Sequence, residues 1–260
     1  MSKAAPIYRR NLDDAPRPVA VMASRRTLGE HIPLHIHKRA QFLHTSSGIL
    51  RVETAEAAWI LPPARALWLP AQWPHSITMR SQVEMRAHYV DPVAAESLAQ
   101  RPVLVEISGL MRELILALLH EPADFDENGR GGIIARLILN ELARLEERQF
   151  NVPMPRDPRI LRVARALLDD CSIDHDLDRW AEEAGASRRT LARLFRSETG
   201  LGFAEWRARL RAIDGLARLA DGASVAEAAA SVGYASPSAY SAMIHRTLGD
   251  PPRRLVRPSA

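Results

Sequence analysis

The sequence predicts a two-domain protein: a small β-barrel followed by helices, then an all-α domain built on a repeated helix pair. Three observations carry this reading. The apolar pattern changes from short strands to helical stripes beyond residue 90. The segment NVPMPRDP (151–158), with three prolines, separates two regions of different character. Two stretches of the C-terminal region also match one another at an offset of 48 to 49 residues. A chain of 260 residues is comfortable for two such domains.

Residues 1–20 read as an N-terminal arm, with Pro6, Pro16 and Pro18. Short strands follow, at 48–54, 57–62, 65–70, 75–80 and 83–90, separated by proline-bearing turns such as Pro62-Pro63. Short strands at this spacing suggest a barrel or sandwich. A helix is expected over 103–121, with Leu104, Ile107, Met111, Leu114, Ile115 and Leu118 on one stripe. A second is expected over 133–150, with Ile134, Leu137, Ile138, Leu142 and Leu145 in register. Two such helices suit packing on the barrel or pairing into a homodimer. The expected division is an arm at 1–20, a first domain at 21–150, a linker at 151–157 and a second domain at 158–260.

Composition narrows the function classes. No apolar run approaches the ~18 residues of a spanning helix, which argues against a membrane partner. The opening MSKAAPIYRRNLDDAPRP lacks the apolar core of a signal peptide. A single cysteine, Cys171, excludes an internal disulfide and a multi-cysteine zinc site. These features lead to the expectation of a cytoplasmic protein. The net charge is +4, and 33 of the 35 basic residues are arginine, with Lys3 and Lys38 the exceptions. Arginine's fork suits phosphates and guanine edges. A GC-rich coding bias would give the same composition, so position has to decide.

The repeat supplies the position. Leu177, Ala181 and Gly185 match Val225, Ala229 and Gly233, and Leu191, Phe195 and Gly200 match Tyr240, Ile244 and Gly249. A small alanine four residues after an apolar residue lets a second helix cross closely. A glycine four later ends the first helix in a conformation glycine adopts cheaply. Ser187 and Ser236 can cap the next helix, with Pro237 just inside the second. This is a helix-turn-helix, occurring twice. The first second-helix exposes Arg188, Arg189, Thr190, Arg193 and Arg196, and residues 188–211 hold seven arginines against two acids. Residues 156–183 hold five arginines against eight acids, so the positive charge is concentrated where a groove-reading helix needs it.

Residues 158–258 resemble the DNA-binding domain of the AraC/XylS family, most closely through VAEAAASVGYASPSAY…MIHRTLGDPP. The resemblance implies seven helices in two helix-turn-helix units joined by a long helix, here 206–222, and double-stranded DNA as partner. The usual recognition-helix phenylalanines stand here as Tyr240 and Ile244. Arg189 and Arg193, one turn apart, can present forks to guanine edges. Ser236, Ser238, Ala239 and Ser241, with Arg246 near the helix end, offer more phosphate positioning than base discrimination. Two units on a stiff helix should read two successive major grooves, ~10 bp apart. Arg207, Arg209 and Arg211 could contact phosphate or form a solvated face.

Six of nine histidines fall between 31 and 88. The spacing of Gly29, His35, His37, Gln41 and Gly48 matches the first cupin motif, with Gln41 where a metal-binding glutamate usually stands. Pro70 and His75 match part of the second motif, while Ala64 and Gln72 replace its usual glycines. The resemblance implies a cupin-like first domain acting as sensor and dimerisation domain. His35, His37, Gln41 and His75 can hold a divalent metal such as Zn, Ni, Fe or Mn, or line a metal-free pocket for an organic ligand. His31 and Trp68 are candidate pocket residues.

The reading that unites these features is a one-component, sequence-specific DNA-binding transcription regulator, not an enzyme, answering to a small molecule or metal in the barrel. The alternative is a metal-dependent cupin enzyme with a helical appendage. Gln41 in place of glutamate and the doubled helix-turn-helix count against it.

Overall fold

The structure is a computed structural model that describes residues 12–148 and 150–256. Residues 1–11 of the expected arm and 257–260 of the expected second domain lie outside the described residues. The chain divides into two compact units. The first comprises 12–51 and 61–148, the second 52–60 with 150–256.

The strands are β1 (Val19–Arg26), β2 (His31–His35), β3 (Ala40–Ser47), β4 (Leu50–Glu53), β5 (Ala57–Leu61), β6 (Arg65–Leu69), β7 (His75–Met79), β8 (Val83–Val90), β9 (Val103–Glu106) and β10 (Asn151–Pro153). They form two five-stranded sheets, β1-β8-β3-β6-β9 and β10-β5-β4-β7-β2, rather than the closed barrel expected. The β4–β5 turn is set by Thr54, whose hydroxyl accepts from the Glu56 and Ala57 amides.

In the first unit the helices are α1 (Gly109–Leu119) and α2 (Arg130–Ala143). Phe42, Ala66, Trp68 and Val90 of the first sheet share a buried cluster with Met111, Ile115, Ile134 and Ile138 of these helices. Residues 103–106, expected as helix, instead pair as β9 with β6, and α1 starts only after Ser108, whose side chain caps the Met111 amide. The β-branched Val103 and Val105 fit a ladder position.

The second unit holds α3 (Pro158–Asp169), α4 (Leu177–Ala184), α5 (Arg188–Thr199), α6 (Phe203–Ala220), α7 (Val225–Ser231), α8 (Pro237–Leu248) and α9 (Pro252–Val256). Residues 151–153, expected as linker, form β10, which pairs with β5 inside this unit. The Trp206 indole donates to the Pro153 carbonyl at 2.7 Å, and Arg209 Nε donates to the Asn151 carbonyl at 2.6 Å. The long helix α6 is therefore tied to β10 as well as to its neighbouring helices. Phe195 of α5 packs on Phe203 and Trp206 of α6, with ring centroids 5.3 and 5.7 Å apart.

α6 and α8 pack closely. A Cβ on Gly215 would lie 2.1 Å from the Tyr240 hydroxyl, and Tyr240 is fully buried. Glycine is required there because the space of a methyl group is already filled. Gly215→Ala should destabilise the chain by about 1–3 kcal/mol, the usual cost of overpacking. Tyr240→Phe in the same background should recover part of the loss, since it removes the nearest atom. Urea unfolding midpoints of the three proteins check this.

Two further histidines shape the first unit. His44 and His88 share the Phe42 face of the first sheet and stack at 5.5 Å with an 11° interplanar angle. Burial pushes His44 down to about 3 and His88 down to about 4 from an ordinary 6.5. Below about 6.5 the unfolded chain takes up protons that the folded chain refuses. The stability is therefore complete above that value and is lost as pH falls toward the folded values. At about pH 5 each histidine should cost roughly 2 kcal/mol relative to neutrality. Unfolding curves at neutral and acid pH should show the loss, and replacing both histidines by Leu should shrink it.

Candidate nucleic-acid interface and histidine site

The first helix-turn-helix is α4 and α5. α4 ends at Gly185, whose φ of 65° places it in the left-handed region, and Ala181 is buried at the crossing. Ser187 then accepts from the Thr190 amide at 3.2 Å, setting the start of α5. Leu191, Leu194 and Phe195 face inward. That periodicity leaves Arg188, Arg189, Arg193 and Arg196 exposed.

These four arginines are not equivalent. Arg188 pairs with Asp178 at 2.6 Å, and Arg196 pairs with Glu205 at 3.2 Å. Arg189 and Arg193 have no ion-pair or hydrogen-bond partner among the described residues, although Arg193 contributes to the field that lowers the Asp157 carboxyl. The forks at one-turn spacing are thus the ones left open. An N-terminal helix end with free amides is also suited to a phosphate.

The second pair is α7 and α8. Ala229 is buried, Ser236 caps the Ala239 amide at 3.4 Å, and Tyr240, Met243 and Ile244 fill the interior. Ser238, Ala239 and Arg246 are exposed, and Ser241 is half-buried. The Ser236 and Ser238 hydroxyls lie 2.9 Å apart. Like Ser187, Ser236 is therefore engaged with its own helix end. Both hydroxyls cap the start of their own helix.

The three arginines of α6 point elsewhere. Arg207 donates to the His175 carbonyl at 2.8 Å, Arg209 reaches Asn151, and Arg211 donates to the Cys171 carbonyl at 2.7 Å and the Ile173 carbonyl at 3.0 Å. Arg211 is buried and satisfies carbonyls just beyond the end of α3. Neither a phosphate contact nor a solvated face describes them. Three of the seven arginines in 188–211 are structural, and within that stretch the open positive charge lies on α5.

In the first unit the structure brings His35, His37 and His75 together. Their ligand atoms all lie within 4.8 Å of one another, and the His35 ring is 4.8 Å from His37 and 4.3 Å from His75. β2 and β7 pair antiparallel with His35 opposite His75, across an irregularity between Ile32 and His35. The Gln72 amide donates to the His37 carbonyl at 2.8 Å, tying the loop before His75 to the strand end. Gln72 and Ala64, both at positions where the cupin motif carries glycine, have φ of 62° and 68°. The backbone keeps the left-handed geometry although the glycines are gone.

Two of the rings are held at Nδ1, and the third faces a carboxylate there. His35 Nδ1 is 2.8 Å from the Pro33 carbonyl, His75 Nδ1 is 2.9 Å from the Trp73 carbonyl, and His37 Nδ1 is 3.7 Å from the Asp13 carboxylate. A proton at Nδ1 leaves the lone pair at Nε2. The Nε2 atoms of His37 and His75 are buried without a hydrogen-bond partner. Burial, reinforced by the other histidines, holds His37 below its ordinary value and His75 down to about 4. Three grouped imidazoles, two of them with a buried, unpartnered Nε2, fit the donor set of a divalent metal.

The remaining candidates are placed differently. Gln41 donates to the Tyr89 hydroxyl at 3.2 Å, and its own carbonyl oxygen is buried without a partner. The Tyr89 ring lies 5.0 Å from His37, so Gln41 borders the cluster through Tyr89. His31 is exposed and bonded to Thr78 at 3.0 Å. Trp68 pairs opposite Phe42, sits in the helix-covered core and donates to the Ala99 carbonyl at 2.7 Å. It faces away from Gln41, whose strand neighbour Phe42 points to the same core. Asp13 was missed from sequence, because nothing in LDDAP marks a carboxylate that folds back 24 residues onto His37.

Residues 180–257 match a family model described as a helix-turn-helix domain. The chain is 29% identical to the HTH-type transcriptional regulator NimR of Escherichia coli (strain K12), across 86% of this chain and 82% of that protein. It is 34% identical to the HTH-type transcriptional regulator RipA of Corynebacterium glutamicum, across 43% of this chain and 34% of that protein. ToxT of Vibrio cholerae shares 12% identity and a TM-score of 0.38 across 92% of this chain and 98% of that one. The doubled helix-turn-helix, the domain match and the likeness to NimR over most of both chains make this chain similar to HTH-type transcriptional regulators.

Proposed function

We propose that this chain is a one-component transcription regulator of the AraC/XylS kind: it binds a specific DNA site through α5 and α8 and answers to an effector held at His35, His37 and His75. The observation that carries the DNA part is the pair of open, exposed forks of Arg189 and Arg193 on a helix whose other arginines are ion-paired. Each bidentate fork on a guanine is worth about 1–3 kcal/mol of discrimination. The observation that supports a metal effector is the group of three imidazoles, His35 and His75 anchored at Nδ1 by carbonyls, with Nε2 of His37 and His75 buried and unpartnered. A divalent cation there would act by binding and not by turnover, and no catalytic residue is assigned. Among the described residues no helix is long and apolar enough to cross a membrane, and the reading places the protein with the DNA in the cytoplasm.

The reading includes a homodimer. Leu110 of α1 and Ile133 and Leu137 of α2 are exposed at 51%, 55% and 39%, on helices whose opposite faces fill the core. A symmetric pair would present two DNA-binding domains to paired half-sites.

The DNA part is tested by selecting a binding site from random duplexes and measuring its affinity for the chain and two double variants. Arg189→Ala with Arg193→Ala should weaken specific binding by at least about 30-fold, or about 2 kcal/mol. Arg188→Ala with Arg196→Ala should weaken it less, because those charges are already shared with Asp178 and Glu205. Unchanged affinity of the first variant would overturn the assignment.

A further inference from the structure

We infer that Asp13 is a positioning residue of the three-histidine site, and that filling the site draws the 3-10 turn Leu12–Asp14 onto it. The inference rests on the metal reading above. Three consecutive residues after β2 reach the segment 13–17. His37 Nδ1 stands 3.7 Å from Asp13 Oδ1, the Lys38 amide donates to the same Oδ1 at 3.0 Å, and the Arg39 guanidinium donates to the Asp13 and Arg17 carbonyls. Lys38 Nζ also pairs with Asp14 at 3.0 Å. The turn is therefore held by the same short stretch of chain that supplies two of the three imidazoles.

The three rings differ in one respect. His35 and His75 have carbonyls at full hydrogen-bond distance from Nδ1, at 2.8 and 2.9 Å. His37 has only Asp13, at a separation too long for a hydrogen bond. A cation on His37 Nε2 makes its Nδ1–H more acidic and its bond to a carboxylate stronger. That pull closes the gap to Asp13, fixes the ring orientation and returns affinity to the cation. Partners of this kind, one shell outside the ligands, typically change metal affinity 10–100-fold when removed. Asp13 is also the partner with a negative charge, which offsets part of the charge that the neutral imidazoles leave uncompensated.

The probe is Co²⁺, whose visible absorption reports coordination geometry, with Zn²⁺ competition for affinity, on the full chain. Asp13→Asn keeps an oxygen for the Lys38 amide and removes the charge facing His37. We expect about 10–100-fold weaker Co²⁺ and Zn²⁺ binding and a shifted Co²⁺ spectrum, at an unfolding midpoint close to that of the parent. Asp13→Glu, which restores the charge, should recover most of the affinity. An Asp13→Asn protein with parental affinity and spectrum would overturn the role of Asp13 while leaving the metal site standing. A parent chain that binds neither ion would overturn the metal reading, and this inference with it.

Discussion

The C-terminal unit depends on one helix, α6, and on how closely it is approached. Gly215 lets the buried Tyr240 ring of α8 lie against its backbone, and Trp206 and Phe203 receive Phe195 of α5. Both recognition helices are thus seated on one long helix. Its polar residues serve the same end. Arg211 satisfies carbonyls after α3, Arg209 holds β10, and the buried Asp214 pairs with Arg218 at 2.7 Å. Buried charges of this kind are tolerated only when paired or hydrogen-bonded, and here they are. The solvent face of α5 stays open, and there Arg189 and Arg193 have no ion pair among the described residues.

The histidine site follows a related rule with the opposite outcome. Carbonyl oxygens engage His35 and His75 at Nδ1, and the Nε2 atoms of His37 and His75 are left buried and unsatisfied. A buried polar atom without a partner is costly, and here two such atoms belong to a group of three imidazoles whose ligand atoms lie within 4.8 Å of one another, which supports the proposed metal reading. The Nε2 atoms of His44 and His88 are also buried without a partner, so the grouping of three imidazoles, not the orphaned nitrogen, is what sets the cluster apart. His44 and His88 stack in the helix-covered core and form no three-ligand group.

Much of this was legible in sequence, and the reasons are local. The repeat, its glycine and serine punctuation and the inward-facing Leu191, Phe195 and Tyr240 depend on helix geometry that a few residues decide. The meeting of His35, His37 and His75 followed from a spaced motif on neighbouring strands. Where reading failed, long-range contacts decided. Val103–Glu106 looked helical by its apolar content, yet pairing with β6 makes it a strand, although Ser108 was present as the true start signal. Asn151–Pro153 looked like a linker and became β10 by pairing with the distant β5. Arg207, Arg209 and Arg211 added to the local positive charge, but carbonyls far away in sequence claim them. Trp68 shares a strand with pocket-side neighbours and points to the other face, which depends on a register that the sequence does not print.

The central claim is that occupancy of the three-histidine site is read out as DNA affinity. It is tested most directly by measuring the affinity of the full chain for its selected DNA site after chelator treatment and again with Zn²⁺ restored. The chain and its His35→Ala, His37→Ala variant are compared. The account predicts a change of at least about 5-fold in the parent, in the range of ordinary allosteric coupling, and none in the variant, which should still bind DNA. A parent that binds both Zn²⁺ and the DNA site, with the same DNA affinity in either state, would contradict it.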